Sequence, residues 1–406
     1  MAAASHAWAF KASLRRNAFG WSGTRKAIER LNEAVGEIER MARTDLALAG
    51  EGAELLLEKL SPAVNHIDSS SGALGSATHG VVEKMVPLIA AAPVPRRLRE
   101  KWLERLLDAI EEDSPPYIES LGDHWGALCA GPELASQWAD QLLPLVRHVM
   151  ADRSSGTYAY AKSGTLCYSA LFHAGRFDDL LAVLALDSQP YWHDQQWAAK
   201  ALAARGDVDG AVNLMEGLRS RHAPDMALSA VAEQLLLDAG RVDEAYARYG
   251  IQATSANTHI ATFRAIAKRY PGIEPSRILG DLIASTPGEE GKWFATAKTF
   301  KQYELAFALV RRAPADPRTL VRAARDHVQN QPAFALEVAL MALYWMARGE
   351  GYELTGADVC AARDYATTAA GTLGPRSQVD VRIAGNVAGD GAAAVWVRQC
   401  LGLDAE

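Results

Sequence analysis

A glycine-centred turn sequence returns along the middle of this chain at nearly constant intervals. The clearest copies are GDVDGA at residues 206–211 and GRVDEA at 240–245, and GRFDDL at 175–180 is an earlier copy. Two weaker copies follow around residues 272–274 and 302–306. A period of about 34 residues with a glycine turn predicts a repeated helix–turn–helix unit. The apolar third positions of the five copies are 31, 34, 31 and 30 residues apart: Phe177, Val208, Val242, Ile273 and Tyr303.

Each residue type in this turn has a physical role. Glycine adopts the left-handed conformation that closes the first helix. We expect the apolar residue beyond it to pack back into the helix pair. The acid that follows complements the positive end of the second helix. Ala211 and Ala245 are small enough to allow close approach between helices.

Helical periodicity also dominates outside these copies. Residues 98–110 and 134–149 place apolar side chains at spacings of three or four positions along most of their length, which favours amphipathic helices. The breaks between such stretches are short and contain proline, as at residues 93–95 and 114–116, because proline stops one helix and suits the first turn of the next. We therefore predict an all-α protein in which antiparallel helix pairs stack as an α-solenoid.

The turn copies resemble tetratricopeptide repeats, whose turn commonly reads Gly-Asp-Tyr-Asp-Glu-Ala, over about residues 157–315. Residues 1–150 are similar to the longer helices of HEAT-like repeats, and the whole pattern resembles bacterial helical-repeat proteins. This resemblance implies a curved stack of helix pairs and a binding role. With 406 residues the chain exceeds one compact core. We predict three regions: a HEAT-like region at 1–150, tetratricopeptide-like repeats at 151–315, and C-terminal helices with a cap at 316–406.

Charge and cysteine usage narrow the classes of function. The 42 Lys and Arg residues against 49 Asp and Glu residues give a net charge of −7, of which −8 falls in residues 101–220. A dedicated nucleic-acid binder needs a strong positive field, so this balance disfavours one. We find no apolar run long enough to span a membrane. Four scattered cysteines without a Cys-x-x-Cys pair favour a reducing cytoplasm: Cys129, Cys167, Cys360 and Cys400.

The segment at residues 65–72, NHIDSSSG, concentrates groups that could perform catalysis. His66 and Asp68 could serve as a general base with its orienting carboxylate, and Ser70 could act as a nucleophile. The alternative is an ordinary loop, since Asp and Ser are common in turns and at helix N-caps. The loop interpretation is favoured, and an enzymatic site, if the chain has one, is expected here.

A second group combines aromatic residues with histidines in two separate segments. These are DHW at residues 123–125 and YWHD at 191–194, from which Trp125, Trp192 and His193 are candidate partner-binding residues. The alternative is burial of the indoles between helix pairs. Burial is favoured for Trp102, Trp138 and Trp197, which lie on apolar stripes.

A third group consists of arginines spaced i, i+4, i+7 after Pro317. Arg318, Arg322 and Arg325 share one helix face, which suits recognition of phosphate or carboxylate. The favoured alternative is a solvated face paired with Asp316 and Asp326. A smaller basic run at residues 96–105 is interleaved with acids and predicts a salt-bridged surface.

The predicted function is a non-enzymatic scaffold or adaptor in the cytoplasm that binds a protein or peptide partner. Catalytic, cofactor and zinc motifs of standard form are missing, so no cofactor or metal is expected. One alternative is an enzyme acting on nucleic acid or a nucleotide, since some HEAT-like proteins excise damaged bases. Another is a regulatory clamp on a small ligand or toxin-like partner, with residues 69–71 as its moving part. The oligomeric state stays open.

Overall fold

The computed structural model describes residues 6–154, 162–187, 191–219, 224–373 and 377–403. Within these ranges every regular element is a helix and no strand occurs, so the predicted all-α class is confirmed. No described helix combines the length and the apolar character needed to cross a bilayer. The chain divides into two compact units, residues 1–224 and 225–406. The predicted boundaries at 150/151 and 315/316 separate regions by their type of repeat, which the division into two units does not test, so they stay predictions.

Unit 1 (residues 1–224) consists of helices packed against their neighbours in sequence. α2, α3 and α4 contact one another and α5 packs on α3, while α8 contacts α6, α7, α9 and α10. A 3-10 helix at Glu119–His124 also packs on α8. The α-helices of this unit are α1 Phe10–Ser13, α2 Thr24–Ala42, α3 Leu46–Val64, α4 Ala73–Ala91, α5 Arg96–Glu111, α6 Trp125–Leu128, α7 Pro132–Ser154, α8 Ser163–His173, α9 Phe177–Leu184, α10 Trp192–Ala204 and α11 Val208–Gly217.

In unit 2 (residues 225–406) the C-terminal helices pack around one apolar helix, α19. Ten of its fifteen residues are buried, as expected for a helix that is hydrophobic on all sides, and it contacts α17, α18, α20, α21 and α22. The α-helices of this unit are α12 Asp225–Asp238, α13 Val242–Tyr249, α14 His259–Arg269, α15 Pro275–Ala284, α16 Phe294–Thr299, α17 Tyr303–Arg312, α18 Pro317–His327, α19 Pro332–Met346, α20 Gly356–Leu373, α21 Ser377–Asn386 and α22 Ala392–Leu401.

The three best copies of the repeated turn share one backbone conformation. Gly175, Gly206 and Gly240 have φ values of 72°, 91° and 74°, in the left-handed region that favours glycine. In each turn the residue after the glycine donates its N–H to the carbonyl five positions earlier, at 2.8 to 3.0 Å. This bond closes the first helix, and the second begins at the next residue, as the sequence predicts.

The two weaker copies differ from this pattern. The fifth turn keeps the same geometry without glycine, because Lys301 has a φ of 58° and the N–H of Gln302 donates to the carbonyl of Ala297 at 3.0 Å. The fourth turn, at Gly272, has no left-handed residue; there α15 begins with a proline, Pro275, in its first turn. Both turns still join consecutive helices at the predicted places.

The expected roles of residues beyond the turn are confirmed only in part. Ala211 and Ala245 are fully buried, as close helix approach requires. Val242 is 44% exposed, so the prediction that the apolar third position packs back into its pair is wrong for this copy. Val242 is the first residue of α13, and the buried Ala245 lies one turn further in.

Arg99 departs from the predicted salt-bridged surface at residues 96–105. Its side chain is buried and donates to the carbonyls of Ile89, Ala92 and Leu128 at 2.8, 2.6 and 3.0 Å. These carbonyls lie at the C-terminal ends of α4 and α6, where the helix dipole favours a cation. Arg99 therefore joins two helix ends in the interior, and the prediction of a surface residue is wrong there.

We predict that Gly240→Ala lowers the free energy of unfolding by about 1 kcal/mol, because alanine is strained at a left-handed φ. No atom lies within 4 Å of the added methyl group, so the strain of the backbone would act alone. Chemical denaturation of the full chain measures the change.

The matched control is Gly280→Ala, in the interior of α15 and equally open to an added methyl group. Alanine is favoured over glycine in a helix, so this variant should be about 0.5–1 kcal/mol more stable. Equal effects of the two substitutions would contradict the role assigned to the turn.

Candidate functional site

A cavity of about 440 Å³ lies in unit 1 between the 3-10 helix, α7, α8 and the start of α10. Its polar wall contains two acids of the 3-10 helix, Glu119 and Asp123, together with His193 and Asp194 of α10. Three residues of α7 form an apolar wall, and two tyrosines also line the cavity: Val146, Val149, Met150, Tyr168 and Tyr191. A concave site with a few converging polar groups is the usual form of a binding site.

A buried carboxylate fixes the chain that leads into the 3-10 helix. Asp113, at the end of α5, is 1% exposed and accepts hydrogen bonds from the N–H groups of Tyr117 and Ile118 at 3.0 and 2.7 Å. The ammonium group of Lys162 donates to the carbonyl of Asp113 at 2.6 Å. These bonds satisfy buried backbone N–H and carbonyl groups around Pro115 and Pro116, and so position Glu119 at the cavity.

Ser169 of α8 anchors the other end of the 3-10 helix. Its hydroxyl donates to the carbonyl of Asp123 and accepts from the N–H of Gly126, both at 3.0 Å. A Cβ atom at Gly126 would lie 2.3 Å from the carbonyl oxygen of Ser169, so only glycine permits this approach. The backbone that carries Asp123 is therefore held against α8.

The two segments singled out in the sequence meet at this cavity. Nε2 of His193 lies 3.3 Å from Oδ2 of Asp123, and both side chains are largely buried. The ring of Trp192 stands perpendicular to the imidazole with centroids 5.5 Å apart, and the Tyr191 ring lies 6.2 Å away. This pair connects the 3-10 helix to the first turn of α10.

The charges around His193 raise its pKa. The hydrogen bond to Asp123 is the largest cause, and the charges of Asp123 and Asp194 act in the same direction. Burial and the charge of Lys200 oppose the shift. Because the charged imidazole is stabilised, His193 carries its proton to higher pH than an ordinary histidine does.

The two acids of the 3-10 helix are in unlike environments. Burial raises the pKa of Glu119, and Lys162 opposes that shift. Asp123 uses Oδ2 for His193, while its Oδ1 is buried and receives no hydrogen bond from the described residues. A buried acceptor without a donor is costly, and Asp123 is part of the cavity wall, where a ligand donor would find a carboxylate.

The arrangement binds polar groups more readily than it activates a nucleophile. Across the described ranges His193 has no hydrogen bond from a serine, threonine or cysteine side chain, the contact by which a histidine activates a nucleophile. No group of three His, Cys, Asp or Glu residues in the described part of the chain could hold a metal ion. The carboxylates accept hydrogen bonds, and the imidazole supplies a switchable positive charge.

The aromatic candidates occupy different environments. Trp125 is fully buried and packs edge-on against Trp138 with centroids 5.2 Å apart, so its indole lies in the core and cannot contact a partner there. Trp192 is half-buried beside the cavity, and Tyr191, which the sequence reasoning did not select as a site residue, is 53% exposed. Burial of Trp102, Trp138 and Trp197 is confirmed.

The serine-rich segment forms a turn. Oδ1 of Asp68 accepts from the backbone N–H of Ser70 at 2.9 Å, and the Ser70 hydroxyl also binds this carboxylate, so the pKa of Asp68 is lowered. The backbone carbonyl of Asp68 accepts from the hydroxyl of Thr24 at 3.1 Å. His66 is exposed, and the hydrogen bonds of the Asp68 carboxylate run to Ser70. The contacts agree with the loop interpretation of His66, Asp68 and Ser70.

The three arginines of α18 are paired with acids. Arg318 donates to Asp358 at 3.1 Å, and Arg325 donates to Asp326 at 2.9 Å. Arg322 lies 3.8 Å from Asp316. These contacts favour the solvated, paired face over a site for phosphate.

The comparisons with known proteins assign no family to this chain. No protein-family model matches it, and no curated protein is significantly similar to it.

We predict that Asp123→Asn lowers the pKa of His193, because the variant removes the charge that stabilises the imidazolium. The NMR titration of the His193 ring signal, assigned by its loss in His193→Gln, measures this. Asp194→Asn is the matched control: it removes an equal charge without the hydrogen bond, so its effect should be smaller. Equal effects would contradict the assigned role of the hydrogen bond.

The same pair predicts a pH-dependent stability. A pKa raised by folding stabilises the protein below the ordinary histidine pKa of about 6.5, and this stabilisation is lost as pH rises through the folded value. Asp123→Asn should therefore destabilise unit 1 more at about pH 5.5 than at about pH 9. Thermal melts at the two pH values measure the difference, and a larger loss at the higher pH would contradict it.

Proposed function

We propose that this chain is a non-enzymatic helical-repeat protein that binds a protein or peptide partner in the cytoplasm, with the His193 cavity as a contact site. Its helix pairs would stack as tetratricopeptide-like repeats at 151–315 and HEAT-like repeats at 1–150. The observation that carries the proposal is the rim at the start of α10, where exposed Tyr191 and half-buried Trp192 flank a cavity lined with acids.

The size and lining of the cavity support binding of one side chain from a larger partner. A volume of about 440 Å³ lies at the small end of ligand sites. Aromatic residues beside a pocket are the common anchors of protein interfaces, since they bury a large area and lose little conformational entropy. Tyr191 and Trp192 have this placement.

The observed charges favour this function over a nucleic-acid enzyme. The acids of the cavity would repel phosphates, and Arg318, Arg322 and Arg325 already have acidic neighbours. The clamp alternative needs residues 69–71 to move, whereas Ser70 is bonded to Asp68 there. A partner-binding role needs neither a basic groove nor a moving loop.

A photoreactive phenylalanine analogue placed at Tyr191 tests the proposal in cells that express the full chain. Illumination should couple this position to a partner protein. The same analogue at Tyr352, 80% exposed in unit 2, is the matched control and should not capture that partner. Capture of the same proteins at both positions, or of nucleic acid at Tyr191, would contradict the proposal.

Affinity measurement with the purified partner gives the second part of this test. Tyr191→Ala should weaken binding about tenfold, the loss of an average anchor residue. Tyr352→Ala should leave the affinity unchanged, and melting curves establish that both variants are folded. If Tyr191→Ala left the affinity unchanged, the rim at Tyr191 would not be part of the interface.

A further inference from the structure

We infer that the His193 cavity accepts a basic side chain, lysine or arginine, of the partner protein. This inference rests on the proposed function, and it adds the chemistry of the group that enters the site. Charge complementarity identifies the occupant: Glu119, Asp123 and Asp194 line the cavity, and His193 is the one basic residue among the described residues that line it.

The hydrogen-bonding capacity of the cavity matches a multivalent donor. Three carboxylates line the cavity, and among the described residues only His193 pairs with Asp123, through Oδ2. Ionised carboxylates only accept hydrogen bonds, whereas an ammonium group offers three donors and a guanidinium group five. A cation in the cavity would add a charge-assisted bond to a carboxylate of its wall.

The apolar wall suits the stem of a basic side chain. Val146, Val149 and Met150 lie on one face of α7, at the i, i+3 and i+4 spacing of neighbours on a helix. Lysine and arginine bury their methylene groups against such surfaces while the charged end reaches polar groups. The ring of Tyr191 at the rim could add a cation–π contact.

The two lysines near the cavity are held by other groups. Lys162 donates to the carbonyls of Ile110, Glu111 and Asp113 at 3.2, 3.3 and 2.6 Å. Lys200 lies over the Trp197 ring, 4.1 Å from its centroid. Neither lysine lines the cavity, so an entering cation meets the acids first.

The surrounding charge favours the same occupant. Residues 101–220, which contain the 3-10 helix, α7, α8 and α10, have a net charge of −8. A negative field of this kind raises the local concentration of cations and repels anions. Phosphate and carboxylate ligands are therefore disfavoured at this site.

Short capped peptides test the inference on the full chain. Acetylated and amidated Gly-Lys-Gly and Gly-Arg-Gly should shift the His193 ring signal in a saturable way. Gly-norleucine-Gly keeps the apolar stem without the charge, and Gly-Glu-Gly reverses the charge. We expect both to bind at least tenfold more weakly than the lysine peptide, a difference of about 1.4 kcal/mol.

Charge-removing variants assign the effect to the cavity. Asp123→Asn and Glu119→Gln should each weaken binding of the lysine peptide at least fivefold. Asp178→Asn is the control: it removes an equal charge from unit 1 at a side chain that is 91% exposed and does not line the cavity. If Asp123→Asn unfolds the unit, Glu119→Gln still tests the inference. Equal losses in all three variants would overturn the local assignment.

The outcomes separate this inference from the proposed function. Equal binding of the norleucine and lysine peptides would contradict the inference that the cavity accepts a basic side chain. A partner captured at Tyr191 would still support the proposed binding function. If putrescine bound more tightly than the lysine peptide, the ligand of the cavity would be a small diamine and the inference of a partner side chain would be wrong. Specific lysine-peptide binding without any captured partner would contradict the proposed function instead.

Discussion

The structure depends on where its amphipathic helices end, because such a helix buries one face and the next helix in sequence must return along that face. The left-handed residue at the turn and the backbone bond across it provide that ending at Gly175, Gly206, Gly240 and Lys301. Hydrophobic burial then stabilises the pair, while the turn fixes its direction. The same local geometry therefore recurs wherever this ending is used.

The cavity of unit 1 follows from a departure from that rule. Between α5 and α7 the chain forms a 3-10 helix and the short α6, held by Asp113 and by Ser169. Short helices leave space beside α7, and four of the residues that face this space carry ionisable groups: Glu119, Asp123, His193 and Asp194. The hydroxyl of Ser169 holds the backbone of Asp123 against α8, so the fold places this carboxylate at the cavity wall.

Sequence patterns predicted the local features of this fold and missed those set by packing. The helices and the places of the turns followed from glycine, proline and apolar spacing, because these act through nearest neighbours. Lysine is not typical of a left-handed turn, so the conformation of Lys301 could not be predicted from its residue type. Arg99 lies in a charged run and was predicted at the surface, whereas the structure encloses it between helix ends. The sequence analysis placed the segments of Asp123 and His193 in one candidate group but did not include Glu119. Glu119 lies four positions before Asp123, and this helical spacing could have indicated that the two acids share one side of a helix. Trp125 is buried although its neighbours in sequence are polar, because such neighbours do not report burial.

The ion pair of Asp123 and His193 joins residues seventy positions apart, whereas each repeated turn joins helices that are adjacent in sequence. Contacts of long sequence separation form late, after the loop-closure entropy of the intervening chain has been overcome. During synthesis the turns can therefore form as they emerge from the ribosome, while the cavity requires α10 to be complete. A partner that recognises the cavity would therefore discriminate against chains that end before α10.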